Sequence, residues 1–161
     1  MILSGPISPP YSGSKPNSAI VFLHGYGSDG ENLIGIAQYL ERSFPDTVFL
    51  SPNAPTKMEY FGGYEWFPLN DEDRHPERML KNISKVEPKV NQFIDEVLTE
   101  YSLDDSKLAL VGFSQGTMTS LHCAIRRSKK IAGVVGFSGA LVGSEVLPAE
   151  VKSKPDICLI H

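Results

Sequence analysis

The chain has 161 residues, 41% of them hydrophobic and 21% charged, the make-up of one globular domain large enough to bury a core. A net charge of -4 without runs of like charge, no stretch of membrane-spanning length and a start, MILSGPISPP, without a basic n-region argue against nucleic-acid binding, membrane integration and a signal peptide. The two cysteines, Cys123 and Cys158, stand in apolar stretches without C-x-x-C spacing and read as buried reduced thiols of a cytoplasmic protein.

Apolar runs of strand length then alternate with amphipathic helical stretches, the pattern of an α/β domain with a mostly parallel sheet flanked by helices. The first strand, 19–24, is AIVFLH, apolar on both faces and therefore central. Ser28 and Glu31 stand at capping-box spacing before a helix of about three turns over 31–42. Pro45 ends it, and 47–50 is the next strand. Residues 51–78 form a long proline-rich stretch with a Gly62-Gly63 pair, and Tyr60, Phe61, Tyr64, Trp66 and Phe67 argue that it is folded. Val86, Val90, Phe93, Ile94, Val97, Leu98 and Tyr101 recur at helical spacing. Pro88 is unwelcome inside a helix, so the regular helix is expected to start near Glu87, with 79–85 as a lead-in turn. A strand over 107–112 runs into GFSQG and a helix over 115–127. Strands over 131–137 and 157–161 complete a single domain, with crossovers long enough for right-handed parallel connections.

Gly112-Phe113-Ser114-Gln115-Gly116 matches G-x-S-x-G between a strand and a helix, the context a nucleophile elbow requires. The strand must stop and the helix start at once, so Ser114 sits on a strained turn with its hydroxyl clear of the sheet. Flanking glycines remove side chains that would collide there. The helix N-terminus offers positive potential and free N–H groups to a developing oxyanion. An ordinary glycine-rich turn is the bland alternative.

A second glycine motif, His24-Gly25-Tyr26-Gly27, follows the first strand. If the fold is an α/β-hydrolase, the oxyanion donors are the N–H after the nucleophile, from Gln115, and one from this loop, from Tyr26. His24 then holds the loop by hydrogen bonding and does not serve as base. A rival reading comes from Gly25, Gly27 and Gly30, which spell the G-x-G-x-x-G of dinucleotide binding. That motif expects a carboxylate at the end of the next strand, where this chain has Leu50-Ser51-Pro52-Asn53, and it leaves GFSQG without a role.

Together FLHGYGSDG at 22–30, SPNAP at 51–55, EWFPL at 65–69, VGFSQG at 111–116 and GVVGFSGAL at 133–141 resemble the phospholipase/carboxylesterase family, which includes the acyl-protein thioesterases. The resemblance implies an α/β-hydrolase domain without a large cap. It would act on small esters, acyl thioesters or lysophospholipids, without a cofactor, with Ser114 as nucleophile and Tyr26 and Gln115 as oxyanion donors. Trp66 and Phe67 would line the acyl site, or simply pack beneath the long loop. Thr117 departs from the family, which commonly has another glycine there. The resemblance also implies that the chain lacks the catalytic aspartate that follows a strand like ICLIH, the next strand with the catalytic histidine after it, and the last helix, leaving a sheet edge open to self-association.

The remaining histidines do not replace that base. His122 lies eight residues beyond Ser114 along the helix, roughly 12 Å away. His161 ends the last strand, and His75 sits in the polar segment NDEDRHPER. The histidines are scattered and the cysteines unpaired, so no metal site is expected. Loss of a triad histidine costs about 10⁶ in kcat. Two functions are therefore carried forward: a serine carboxylic-ester hydrolase, and an inactive hydrolase domain that binds an acyl ligand.

Overall fold

A computed structural model of the chain describes residues 1–59 and 62–161; Tyr60 and Phe61, two of the aromatics expected in the folded loop, lie outside the described residues. The chain opens with β1 (Ile7–Ser8) and β2 (Ser18–Leu23), then passes through short helices α1 (Gly30–Ile34) and α2 (Ala37–Leu40) to β3 (Thr47–Leu50). Strands β4 (Thr56–Lys57) and β5 (Tyr64–Glu65) pair antiparallel in a small separate sheet. The long helix α3 (Pro76–Tyr101) precedes β6 (Leu108–Phe113), α4 (Gln115–Arg126), β7 (Gly133–Phe137), the single turn α5 (Leu147–Glu150) and β8 (Asp156–Ile160).

The main sheet has the order β1-β3-β2-β6-β7-β8. Only β1 runs antiparallel to its neighbour. Strands β2 and β6 lie side by side at its centre with Leu23 opposite Gly112, so both glycine motifs leave the sheet at the same end. One face is covered by α3 and α4, where Ile83, Val90, Phe93 and Val97 meet Val21, Leu110 and Val134. On the other face α1 and α2 cover β2 and β3, where Phe22 and Phe49 stack with ring centroids 6.0 Å apart, and the cluster reaches as far as Val111 of β6. Beyond that cover Phe113, Phe137 and Ile160 are exposed on this face, and the edge strand β8 is exposed on both faces, with Ile157 and Leu159 on the α4 side and Cys158, expected to be buried, exposed with the rest.

Three expectations about helices are corrected. Helix α3 begins at Pro76, ten residues before the apolar stripe was expected to support it, and runs through Pro88. Pro76 suits the first turn, and Ile83 extends the buried stripe backwards from Val86. Pro88 and Ser84 are both exposed, so the Ser84 carbonyl that loses its i+4 donor faces water. The single helix expected over 31–42 is instead two short ones joined at Gly35-Ile36 by i→i+3 bonds, Ile36 N–H to Leu33 C=O and Tyr39 N–H to Ile36 C=O. Glycine is a weak helix former, and few contacts on this exposed face compensate. The cap of α1 is Asp29, which accepts from Asn32 N–H at 2.8 Å, and not Ser28.

Candidate active site

Ser114 follows β6 directly and stands at the N-cap of α4 with φ 51° and ψ −112°. That is the left-handed side of the map, where an L residue is strained. The strain is held by bonds on both sides of the turn. Ser114 N–H donates to Phe137 C=O at 2.8 Å, and the Thr117 hydroxyl donates to Gly112 C=O at 2.7 Å and contacts Phe137 C=O at 2.9 Å. A Cβ at Gly112 would stand 2.5 Å from Thr117 N, and one at Gly116 would collide with Leu23 C=O, so both glycines are required by close backbone approach. The half-buried Ser114 side chain makes no capping bond to its own helix.

Gln115 is the first residue of α4, so its N–H has no acceptor four residues back within the helix. Its side chain is wholly buried: Oε1 accepts Trp66 N–H at 2.8 Å and Nε2 donates to Phe67 C=O at 2.6 Å. The partner motif is organised by His24, also wholly buried. Ala54 N–H donates to His24 Nε2 at 3.0 Å, which leaves the ring proton on Nδ1, and Nδ1–H donates to Gly25 C=O at 2.8 Å. Burial holds this imidazole below the usual histidine range, in keeping with a neutral ring. Ser28 N–H reaches the same Gly25 carbonyl at 3.2 Å. A trans peptide is planar, so pinning Gly25 C=O turns the Tyr26 N–H to the opposite side. The Tyr26 phenol is 43% exposed, and partial burial with the neighbouring Glu65 carboxylate raises its pKa. The Glu65 carboxyl is itself raised by burial and by Asp73.

Trp66 and Phe67 are almost wholly buried, at 2% and 1% exposure, and belong to the main core cluster. The Trp66 indole Nε1–H donates to His24 C=O at 2.9 Å. Both residues also back a cavity of about 220 Å³ together with Pro55, Pro68 and Val86. The other histidines are placed apart from this cluster. His122 is buried against Glu87 of α3 at 3.2 Å, and its hydrogen bond holds that carboxyl below the usual range. His75 is exposed at the N-cap of α3, and His161 is exposed after β8. Among the described residues Ser114 has no hydrogen bond to a histidine, and no group of three His, Cys, Asp or Glu is arranged to hold a metal ion.

Two features of the site are not legible from the motif. The Gln115 side-chain clamp depends on a partner 49 residues away. Thr117, flagged only as a departure, packs against Gly136 and Gly139, where any Cβ would strike its side chain. The two glycines facing one threonine are the only signal the sequence offers.

A family profile described as Phospholipase/Carboxylesterase matches residues 11–161. Acyl-protein thioesterase 1 of Cryptococcus neoformans var. neoformans serotype D (strain JEC21) is 29% identical over 75% of this chain and 53% of its own length. Acyl-protein thioesterase 1 of Kluyveromyces lactis is 30% identical over 76% of this chain and 56% of its own. The chain spans little more than half the length of these curated relatives. Among solved structures, esterase PE8 matches with a TM-score of 0.93 and 41% identity, covering 99% of this chain and 74% of that one. Zea mays acyl-protein thioesterase 2 matches at a TM-score of 0.67 and 21% identity over 98% and 76%, a likeness of fold alone. With an α/β-hydrolase sheet, both glycine motifs at one end of it and a family profile matched along nearly its whole length, the chain belongs to the phospholipase/carboxylesterase family.

Proposed function

We propose that this chain carries the nucleophile and oxyanion hole of a serine carboxylic-ester hydrolase, acting on small esters, acyl thioesters or lysophospholipids. The observation that carries the reading is the strained Ser114 turn beside the pinned Gly25–Tyr26 peptide. Ser114 Oγ attacks the acyl carbon, and the carbonyl π electrons move onto oxygen. The oxyanion accepts from Gln115 N–H and Tyr26 N–H. Its collapse expels the alcohol or thiol and leaves an acyl-serine, which water then hydrolyses. Trp66 and Phe67 are buried in the main core, and the 220 Å³ cavity they back is not lined by Ser114, Tyr26 or Gln115, so of their two expected roles packing beneath the long loop has the better support.

None of the four histidines is bonded to Ser114 among the described residues, so the Ser114 proton passes to solvent water during attack and solvent returns a proton to the departing alkoxide or thiolate. Oxyanion stabilisation and binding alone sustain roughly 10³–10⁴-fold acceleration over water. The test is p-nitrophenyl acetate hydrolysis by the chain and by Ser114→Ala. Slow turnover, no more than that acceleration and abolished in the variant, supports the reading. Turnover that survives Ser114→Ala contradicts it, as does a fatty acyl ligand bound with no Ser114-dependent chemistry at all.

A further inference from the structure

The stretch between β3 and α3 meets the nucleophile turn through a buried polar contact. Both ends of one side-chain amide are used there, Gln115 Oε1 on Trp66 N–H and Gln115 Nε2 on Phe67 C=O. Trp66 then reaches the other glycine motif, with its indole N–H on His24 C=O at 2.9 Å and its ring 5.4 Å from the imidazole. His24 in turn holds Gly25 C=O. A continuous chain of buried hydrogen bonds therefore runs from the residue after the nucleophile, through Trp66, to the Gly25–Tyr26 peptide.

We propose that Trp66 and the Gln115 side chain are positioning residues that set the spacing between the Tyr26 and Gln115 N–H groups. The proposal rests on the hydrolase reading for the meaning of that spacing. A leucine or methionine at 115 would fill similar space without asking for two partners, whereas a buried amide left unbonded is costly. The amide grips consecutive backbone groups, Trp66 N–H and Phe67 C=O, so it fixes both the position and the rotation of the loop relative to α4. The rigid Gly25–Tyr26 peptide carries that placement on to the Tyr26 N–H. A displacement of about 1 Å at such a site costs on the order of 10²-fold in rate.

Two variants test it in the full 161-residue chain. Trp66→Phe removes the indole N–H and keeps an aromatic ring, and Gln115→Met removes both side-chain bonds and keeps the backbone N–H. The measurements are kcat and KM for p-nitrophenyl acetate, with Ser114→Ala as zero, and the ¹H–¹⁵N peaks of Tyr26, Gln115 and, as a distant control, Leu98. Each variant is expected to lower kcat by about tenfold to a hundredfold with KM within about twofold. The Tyr26 peak should move in both variants while Leu98 stays. The double variant should lose no more than the worse single one, because both act through one tie. A folded Trp66→Phe with an unmoved Tyr26 peak overturns the proposal, as do additive losses. If Ser114→Ala keeps the activity, the hydrolase reading falls, and the spectra still decide whether the tie places the two amides. If Gln115→Met does not fold, Trp66→Phe alone decides.

Discussion

Ser114 holds a backbone conformation that costs on the order of 1–3 kcal/mol for a residue with a side chain. Ser114→Ala keeps that strain and should melt close to the parent. Ser114→Gly relieves it and is expected to raise the melting temperature by about 2–4 °C per kcal/mol released, while losing the proposed nucleophile. Differential scanning calorimetry of the two variants checks this, and a lower melting temperature for Ser114→Gly would mean the turn is not strained. His24 offers a second check at this scale. Burial holds its folded pKa below the ordinary histidine value of about 6.5, so the stability from burying a neutral ring is present above about pH 6.5 and is lost as pH falls toward and through the folded value. Protonation would also remove the acceptor of the Ala54 N–H. The parent melt should therefore fall more steeply than that of His24→Gln as pH drops from 7 to 5; parallel curves would contradict the assignment.

At the scale of elements, the strained Ser114 turn is bracketed to β7 by Thr117, whose hydroxyl meets Gly112 C=O and Phe137 C=O. Thr117→Val preserves shape and removes the single hydroxyl proton that the two carbonyls face, and should cost about 1–3 kcal/mol. Gly136→Ala should be destabilising alone and partly rescued by Thr117→Ala, because the added methyl meets the threonine side chain. Urea unfolding of the four proteins measures the coupling, and simple additivity would show that the two sites do not press on each other. The central strands are legible in sequence: 19–24 expected against Ser18–Leu23 found, and 107–112 against Leu108–Phe113, because strands buried among helices read as near-continuous apolar runs. Ser114 is legible for the same reason, lying between two elements whose type is clear. Helix α3 is misjudged because tertiary burial of Ile83 and Val86 outweighs a proline whose orphaned carbonyl reaches water. The β4–β5 pair and the Gln115 clamp are invisible locally, since both are specified by contacts between distant segments.

Over the whole molecule, cover is uneven. The face under α3 and α4 is packed as far as β7, while the edge strand β8 is open on both sides: Ile160 is 47% exposed beside Phe113 and Phe137, and Ile157 and Leu159, on the α4 side, are 46% and 55% exposed. An apolar edge strand of this kind invites pairing with another chain. The chain is therefore expected to self-associate at high concentration and Leu159→Lys to reduce it; sedimentation velocity checks this, and a monodisperse parent monomer would contradict it. The account as a whole stands on Ser114 accepting an acyl group, and mass spectrometry after incubation with p-nitrophenyl acetate tests that most directly. Without a histidine bonded to Ser114, deacylation should be slow enough for the adduct to accumulate. The result expected is one acetyl group mapped to Ser114 and absent from Ser114→Ala; an unmodified chain, or acetyl groups only on lysines, would contradict it.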